Sequence, residues 1–461
     1  MRVWLGVSRN FNLATHFYEN NRVDGTIPSY DMDLMKIVSR RREHSGDRRW
    51  RPLGVAGPHR ENSECHWRRL REMDELTREA ANYRLCTRCV MDSSAPDLTF
   101  DASGVCNFCE ETREIMARQI LPQDQRERKR QELINRCLDN GKGKPYDCVV
   151  GVSGGVDSSY MLHLAKLEFG LRPLAVHLDN GWNGELANNN IERIVNGVGV
   201  DLFTHVIDWE ENRDMQRSYF KAHVINIEAL MDNAMLAVNY RMARCHKLNT
   251  ILAGTNASTE GFRMPKGWSH DARDKKNIKA IQKRFGTIPI RTHWLQGHLD
   301  YLIDKRIFGV QWISGLDYVD YVKAQALEVL KDRYGYRPYP YKHYESIFTR
   351  FYQGYILPKK FGVDKRRVHL STLVVSGQMT RDMALKHFET SPYPDAKLLH
   401  EDLEYVLKRL GFSRGEFEAY LAAPAVPHTA YPSESAFYER LYAAVRRLRI
   451  AFGGRMFNEK F

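Results

Sequence analysis

The chain has 461 residues, 43% of them hydrophobic, and a formal net charge of +12 at pH 7, so it can hold two or three domains and suits an anionic partner. No stretch approaches the roughly 18 apolar residues of a membrane span and the start lacks a secretory pattern, which predicts a soluble protein of the cytoplasm. Eight cysteines are too few for a disulfide scaffold, which agrees with a reducing compartment.

Residues 1–84 show little sustained periodicity, and the stretch 40–71 is rich in arginine and poor in aliphatic residues. We predict a disordered or loosely attached extension. A nucleic-acid-binding arm is the alternative, which is disfavoured because the arginines lack interleaved aromatic residues. Met73 lies just before the first recognisable motif, so residues 1–72 could be non-native sequence.

Residues 85–112 contain two closely spaced cysteine pairs. The spacing is C-x₂-C-x₁₆-C-x₂-C, formed by Cys86, Cys89, Cys106 and Cys109. This spacing is typical of a tetrahedral Cys₄ zinc site, and four free buried cysteines are the alternative. Four thiolates leave no open position for water, so the predicted Zn²⁺ is structural. Residues 113–146 then show helical spacing of apolar positions and are predicted to form a helical linker.

Residues 147–345 alternate short apolar runs with helical patterns. The runs are Cys148-Val149-Val150-Gly151-Val152, Leu174-Ala175-Val176-His177-Leu178, Leu202-Phe203-Thr204-His205-Val206-Ile207 and Thr250-Ile251-Leu252-Ala253-Gly254. Such runs are typical of parallel strands buried on both faces. They predict an α/β fold with a doubly wound parallel sheet, whose ligands bind at the carboxyl ends of the strands. Residues 346–461 are predicted to be a substrate-binding and helical C-terminal region.

A glycine- and serine-rich loop follows the first of these strands and precedes a helix. It contains Ser153, Gly154, Gly155, Asp157, Ser158 and Ser159. Its backbone N–H groups and hydroxyls suit phosphate, whereas Asp157 would act through Mg²⁺ because its charge repels phosphate. The Gly-Lys-Ser/Thr ending of a Walker A motif is absent. An ordinary turn with a helix cap is the alternative.

This loop resembles the SGGxDS signature of the PP-loop ATP pyrophosphatases, which release pyrophosphate and form adenylylated intermediates. The resemblance implies that the loop residues bind ATP. It also implies an adenosine site beside Asp179, at the end of the second strand. Gly254, Thr255 and Asn256, at the end of a later strand, would border the ATP site. For Asp179 and Asn256, turn chemistry is the alternative.

The amino-acid sequences of several segments resemble those of the N-acetyl sugar amidotransferase family of O-antigen and nonulosonic acid biosynthesis. The segments are Cys86-Thr87-Arg88-Cys89-Val90-Met91-Asp92, Tyr318-Val319-Asp320-Tyr321-Val322-Lys323, Lys342-His343-Tyr344-Glu345-Ser346 and Val368-His369-Leu370-Ser371. One departure is Tyr339-Pro340-Tyr341, which stands where the family has two glycines. The resemblance implies conversion of an acetamido to an acetamidino group on a bacterial sugar or nucleotide sugar. The candidates are a UDP-linked diacetamido uronic acid and a pseudaminic- or legionaminic-type acid.

The implied chemistry assigns roles to further residues. ATP would activate the amide oxygen and ammonia would then displace AMP, with Asp157, Lys342, His343 and Glu345 as catalytic candidates. The substrate-binding candidates are Arg350, Lys360, Lys365, Arg366 and Arg381. For each of these a solvated charge or a salt bridge is the alternative. A PP-loop tRNA thiolation enzyme is the rival enzyme, and a zinc-ribbon nucleic-acid-binding protein is the rival of another class; nucleic acid is the less favoured partner.

The ammonia source is predicted from the cysteines that lie outside the zinc pattern. Cys65 lies in the extension, Cys137 in the linker and Cys148 in a strand, whereas Cys245 alone has an adjacent histidine, His246. Neighbours on a helix do not face each other as a catalytic pair would. The chain is therefore expected to lack a glutaminase. The family resemblance implies separate ammonia-supplying subunits similar to the glutaminase and cyclase of histidine biosynthesis.

Overall fold

The computed structural model describes residues 3–6, 83–339, 344–393 and 395–451 of the chain. In these residues one sheet contains six strands. They are β1 (Val3–Gly6), β2 (Cys148–Gly151), β3 (Pro173–Asp179), β4 (Asp201–Val206), β5 (Thr250–Ala253) and β6 (Gln311–Ser314). Their order is β1-β4-β3-β2-β5-β6, and every pair is parallel. The predicted α/β class and its four strands, β2 to β5, are confirmed.

Helices connect the strands and continue beyond them. Up to the last strand they are α1 (Asn107–Gln119), α2 (Gln123–Gly141), α3 (Val156–His163), α4 (Glu185–Val198), α5 (Trp209–Ala222), α6 (Ala229–Cys245), α7 (Ala257–Glu260), α8 (Lys275–Phe285) and α9 (His298–Arg306). After it follow α10 (Lys323–Tyr334), α11 (Ile347–Phe351), α12 (Leu357–Phe361), α13 (Arg366–Val375), α14 (Arg381–Lys386), α15 (Ala396–Leu410), α16 (Arg414–Ala422) and α17 (Ser435–Ala451). The predicted helical C-terminal part is confirmed over the described residues.

Alternation along the central strands fixes the two faces of the sheet. In β2, Val150 packs with residues of α3, α4 and α10, whereas its neighbour Val149 packs with α6. Both residues are fully buried, as expected for a strand covered by helices on both faces. The chain runs from β2 through β3 to β4 on one side, and β5 and β6 lie on the other. This reversal places a crevice between β2 and β5 at the carboxyl edge of the sheet.

Residues 3–6 correct the prediction of disorder over residues 1–84 at that position. They form the edge strand β1, with Val3 opposite Leu202 and Gly6 opposite His205 of β4. A four-residue strand gives almost no periodic signal, and its pairing depends on a partner about 200 residues away. The remainder of the extension, including its arginines, lies outside the described residues.

The predicted linker is divided into two helices. Helix α1 ends at Gln119, and Pro122 precedes α2, where the missing N–H of proline costs no helical hydrogen bond. Leu133 and Ile134 of α2 pack into the core on the face of the sheet that α3, α4 and α10 cover. The helical prediction therefore holds, but this segment is part of the core and is not a free connection between domains.

Candidate active site

The glycine-rich loop joins β2 to α3 at the carboxyl edge of the sheet. Gly154 has φ +84°, and a Cβ there would lie 3.0 Å from the carbonyl oxygen of Ala187 on α4, so only glycine fits. The Ser153 and Gly155 N–H groups donate to hydroxyls within the loop, at 3.2 and 3.3 Å. The Ser159 hydroxyl is buried and has no hydrogen-bond partner in the described part of the chain. The loop therefore offers a buried hydroxyl and a shape that suit an anion such as phosphate.

Three tyrosines surround this loop, and the sequence did not single them out as site residues. The Tyr321 hydroxyl donates to the Asp157 carboxylate, and those of Tyr336 and Tyr339 donate to the Gly154 carbonyl at 2.8 and 3.2 Å. Burial raises the pKa of Tyr321, and the neighbouring Asp157 charge raises it further. Burial likewise raises the pKa of Tyr336 and Tyr339, so all three remain protonated donors at neutral pH.

The end of β5 lies directly against the start of α3. A Cβ at Gly254 would be 2.6 Å from the Asp157 carbonyl carbon. The Thr255 hydroxyl lies 2.9 Å from that of Ser314, and the Asn256 side chain accepts from the Thr259 N–H at 2.8 Å and caps α7. Gly254 thus borders the loop, Thr255 contacts β6, and Asn256 serves the turn chemistry that was its alternative.

At the end of β3, hydrogen bonds hold the His177 ring in place and Asp179 begins a turn. The His177 ring is buried, with Nδ1 2.8 Å from the Val152 carbonyl oxygen and Nε2 2.9 Å from the Asn183 amide nitrogen. Burial lowers the pKa of His177, so the ring is neutral, and these contacts fit a proton on Nδ1. Asp179 accepts from the Gly181 N–H at 2.8 Å. Asp179 therefore makes the turn that was its alternative role, beside the site.

Glu345 lies beside the glycine-rich loop, as its assignment to the site requires. Its Oε1 would be 3.8 Å from a Cβ at Gly155, and its backbone carbonyl accepts from the Gly184 N–H at 2.9 Å. Its charge also contributes to the raised pKa of Tyr336 and Tyr339. The predicted catalytic residues Lys342 and His343 lie outside the described residues.

A cavity of about 740 Å³ lies on the α4 side of the loop. Its lining combines aromatic, apolar and charged side chains. They are Gly184, Glu185, Leu186, Asn189, Lys331, Tyr336, Arg337, Pro338, Tyr339, Tyr344, Ile347, Arg350 and Leu398. Tyr336 and Tyr339 belong both to this lining and to the contacts of Gly154. The cavity and the loop are therefore adjacent.

Of the five predicted substrate-binding cations, Arg350 is the one that lines this cavity. Arg350 forms a bidentate ion pair with the buried carboxylate of Asp402, with N–O distances of 2.6 and 2.5 Å. This ion pair joins α11 to α15. Lys365 pairs with the buried Glu228 at 2.9 Å. Both cations are balanced by acids, so their charges are largely neutralised before any ligand binds.

The other three predicted cations have structural contacts. Lys360 donates to the Tyr420 and Ala423 carbonyls at 2.6 Å each, near the end of α16. Arg366 pairs with its neighbour Asp364. Arg381 donates to the Cys86 and Cys89 carbonyls at 2.9 and 3.1 Å. Arg366 thus makes the salt bridge that was its alternative role, whereas Lys360 and Arg381 bind backbone carbonyls, which neither prediction described.

The four patterned cysteines come together in a buried cluster. Their sulfur atoms all lie within 4.8 Å of one another, with Cys86–Cys109 at 3.9 Å, Cys89–Cys106 at 3.7 Å and Cys106–Cys109 at 3.6 Å. A tetrahedron with metal–sulfur bonds of about 2.3 Å has sulfur–sulfur edges of about 3.8 Å, so the geometry fits Zn²⁺. Backbone N–H groups, among them those of Arg88 and Met91, donate to these sulfurs at about 3.4 Å and suit thiolates.

The remaining described cysteines lie outside both sites. Cys137 and Cys148 are buried in the core, whereas Cys245, at the end of α6, is exposed. Among the described residues, no helix is both long and apolar enough to cross a bilayer.

The fold and the loop together define an α/β protein with a glycine-rich anion-binding loop at the carboxyl edge of its sheet. Residues 345–446 match the family model "LPS biosynthesis protein WbpG-like, C-terminal domain", which confirms over that region the predicted resemblance to a lipopolysaccharide-biosynthesis family. An uncharacterized protein of Methanocaldococcus jannaschii is 26% identical over 205 residues, which cover 43% of this chain and 65% of that protein, just under two thirds of its length.

Two solved structures are also similar. NMN synthetase from Francisella tularensis is 17% identical, with a TM-score of 0.23, over 49% of this chain and 100% of that one. NH₃-dependent NAD synthetase from Campylobacter jejuni, in complex with the nitrate ion, is 15% identical, with a TM-score of 0.24, over 48% and 100%. At these TM-scores neither likeness bears on the activity of this chain.

Proposed function

We propose that the chain is an ATP-dependent amidotransferase of lipopolysaccharide biosynthesis that converts the acetamido group of a sugar to an acetamidino group. The observation that carries the proposal is the position of Glu345, which lies at the glycine-rich loop and begins the WbpG-like region. A phosphate-binding loop, a carboxylate and a cavity for a second substrate thus meet at one edge of the sheet.

The reaction has two steps. The amide oxygen attacks the α-phosphorus of ATP; an oxygen–phosphorus bond forms, the bond to the bridging oxygen breaks and pyrophosphate leaves. Ammonia then attacks the activated carbon, its nitrogen loses a proton, and the carbon–oxygen bond breaks to release AMP. Activation is needed because an amide is a poor electrophile.

Different residues of the chain bind the phosphates, hold the metal ion and accept the proton. The loop residues Ser153 to Ser159 hold the phosphates through N–H groups and hydroxyls, with the buried Ser159 hydroxyl as an available donor. Asp157 would hold Mg²⁺, which supplies charge neutralisation at phosphorus. Glu345 accepts the proton that the attacking ammonia loses. The four-cysteine cluster would hold a structural Zn²⁺, because four thiolates leave no open position for water or substrate.

Product analysis tests the proposal. With ATP, ammonium and a pool of N-acetylated nucleotide sugars, we expect AMP and pyrophosphate in equal amounts, detected by ³¹P NMR. Asp157→Asn should lower the rate by about 100-fold or more because it removes the metal-binding charge. Asp332→Asn, an exposed change on α10, is the matched control. Release of ADP and phosphate would contradict the proposal.

A further inference from the structure

The cavity beside the glycine-rich loop is lined by aromatic, apolar and charged side chains, which indicate the class of ligand that it binds. We propose that it is the acceptor site, and that it takes a glycosyl ring bearing an anionic group, a carboxylate or a phosphate, which Arg337 binds. The inference rests on the proposed function, because it supplies the second substrate of the same reaction.

The position of the cavity supports this assignment. The rings of Tyr336 and Tyr339 form the wall between cavity and loop, because both line the cavity while their hydroxyls donate to the Gly154 carbonyl. A ligand in the cavity therefore lies next to the loop at which the proposed function places the phosphates of ATP. The volume of about 740 Å³ is within the usual range for a small-molecule site.

The wall that carries Arg337 is preformed. Asn190, fully buried on α4, donates its amide to the Arg337 carbonyl at 2.8 Å and accepts from the Arg337 N–H at 3.0 Å. The same amide lies 3.3 Å from the Tyr339 hydroxyl. Because these contacts fix the backbone of Arg337 from both sides, little order must be gained when a ligand binds.

The lining contains one acid, Glu185, and three cations, of which Arg337 is best placed to bind an anion. Lys331 pairs with Glu328 at 2.9 Å, and Arg350 pairs with Asp402. In the described part of the chain the exposed Arg337 guanidinium has no ion-pair partner, although its backbone is fixed. A guanidinium binds carboxylates and phosphates with two parallel hydrogen bonds.

The rest of the lining suits a sugar ring. Tyr336, Tyr339 and Tyr344 offer aromatic surface for the C–H face of the ring, and Leu186 and Ile347 add apolar contact. Asn189 offers an amide at the same wall. A neutral sugar would use these contacts but would gain nothing from Arg337, so the anionic group should decide the affinity.

Binding of three probes to the full chain tests the proposal by isothermal titration calorimetry. N-acetylneuraminic acid supplies a carboxylate, UDP-N-acetylglucosamine supplies phosphates, and N-acetylglucosamine is neutral. We expect at least one anionic probe to bind about tenfold more tightly than the neutral sugar, and Arg337→Ala to remove that advantage. Arg333→Ala, an exposed arginine of α10 outside the lining, should leave it unchanged.

A second variant fills the cavity. Asn189→Trp should weaken the anionic probe at least about tenfold while binding of a non-hydrolysable ATP analogue stays unchanged, since the loop is not altered. Equal affinity for all three probes, or affinity indifferent to both variants, would show the proposal to be wrong. If anionic binding depends on Arg337 but no AMP forms, the proposed function fails and the site stands. If AMP forms and binding ignores Arg337, the site fails alone.

Discussion

Tyr321 is the side chain that orients Asp157. Its hydroxyl donates to the Asp157 carboxylate, and its ring lies 5.9 Å from that of Tyr160, so the ring position does not depend on the hydroxyl. A carboxylate that binds a metal is usually held by such a second hydrogen bond. We therefore expect Tyr321→Phe to raise the Mg²⁺ concentration for half-maximal activity by about tenfold. Unfolding temperature should change little, which circular dichroism can show.

Tyr318→Phe is the matched control, because Tyr318 lies three residues away in the chain and its hydroxyl does not contact Asp157. An unchanged Mg²⁺ requirement in Tyr321→Phe, with Asp157→Asn inactive, would show that Tyr321 does not position the carboxylate.

The residues of the glycine-rich loop could be predicted from sequence because their constraints are local. Gly154 needs a positive φ, and the loop must follow a strand and precede a helix. The tyrosines could not be predicted, since Tyr321, Tyr336 and Tyr339 reach the loop across more than 160 residues of sequence. Arg381, a predicted substrate ligand, likewise contacts the cysteine cluster, almost 300 residues away in sequence, and no local pattern indicates that contact.

At the scale of elements, the cysteine cluster is attached to α13 and α14. Arg381 of α14 donates to the Cys86 and Cys89 carbonyls, and Arg367 of α13 pairs with the buried Asp92 at 2.6 Å. Phe108 also stacks near Phe262, with ring centres 6.5 Å apart. The cysteine cluster therefore supports the C-terminal helices as well as its own loop.

We expect about one zinc per chain by elemental analysis, as a Cys₄ site requires. Cys109→Ser should lose the metal and lower the unfolding temperature on the order of 10 °C, because metal binding contributes to folding free energy. Cys245→Ser is the matched control, since Cys245 is exposed and outside the cluster. Zinc-free wild-type protein, purified without chelator, would contradict the assignment.

Strand prediction succeeded for the four interior strands, β2 to β5, and failed for the two edge strands, β1 and β6. Three of the four residues of β2 and all four of β5 are buried, which gives a continuous run that the sequence shows. Strand β6, at the sheet edge, is only half-buried in all four residues and includes Gln311 and Trp312, so no apolar run marks it. Its pairing with β5 is decided by tertiary contact, which a local pattern does not contain.

At the scale of the whole molecule, the proposed amidation consumes ammonia, and the surroundings of the described cysteines bear on whether this chain could release it from glutamine. A glutaminase needs a thiolate beside a base. Burial raises the pKa of Cys137 and Cys148 and keeps both as thiols. Cys245 ends α6 and is exposed, but its neighbour His246 contacts the Tyr146 ring at 5.2 Å, and burial lowers the pKa of this histidine. The His246 ring is therefore neutral and packed against Tyr146, so it does not form an ion pair with the Cys245 thiol.

We expect the purified chain to use ammonium salts and not glutamine as nitrogen donor. Activity with ammonium should rise with pH between about 7 and 9, because ammonium loses its proton as the pH rises and only the free base attacks carbon. AMP release measured with each donor, with and without an added glutaminase, checks this. Glutamine-dependent turnover by the isolated chain, lost in Cys245→Ala but kept in Cys137→Ala, would place a glutaminase within this protein and remove the need for a separate ammonia-supplying subunit.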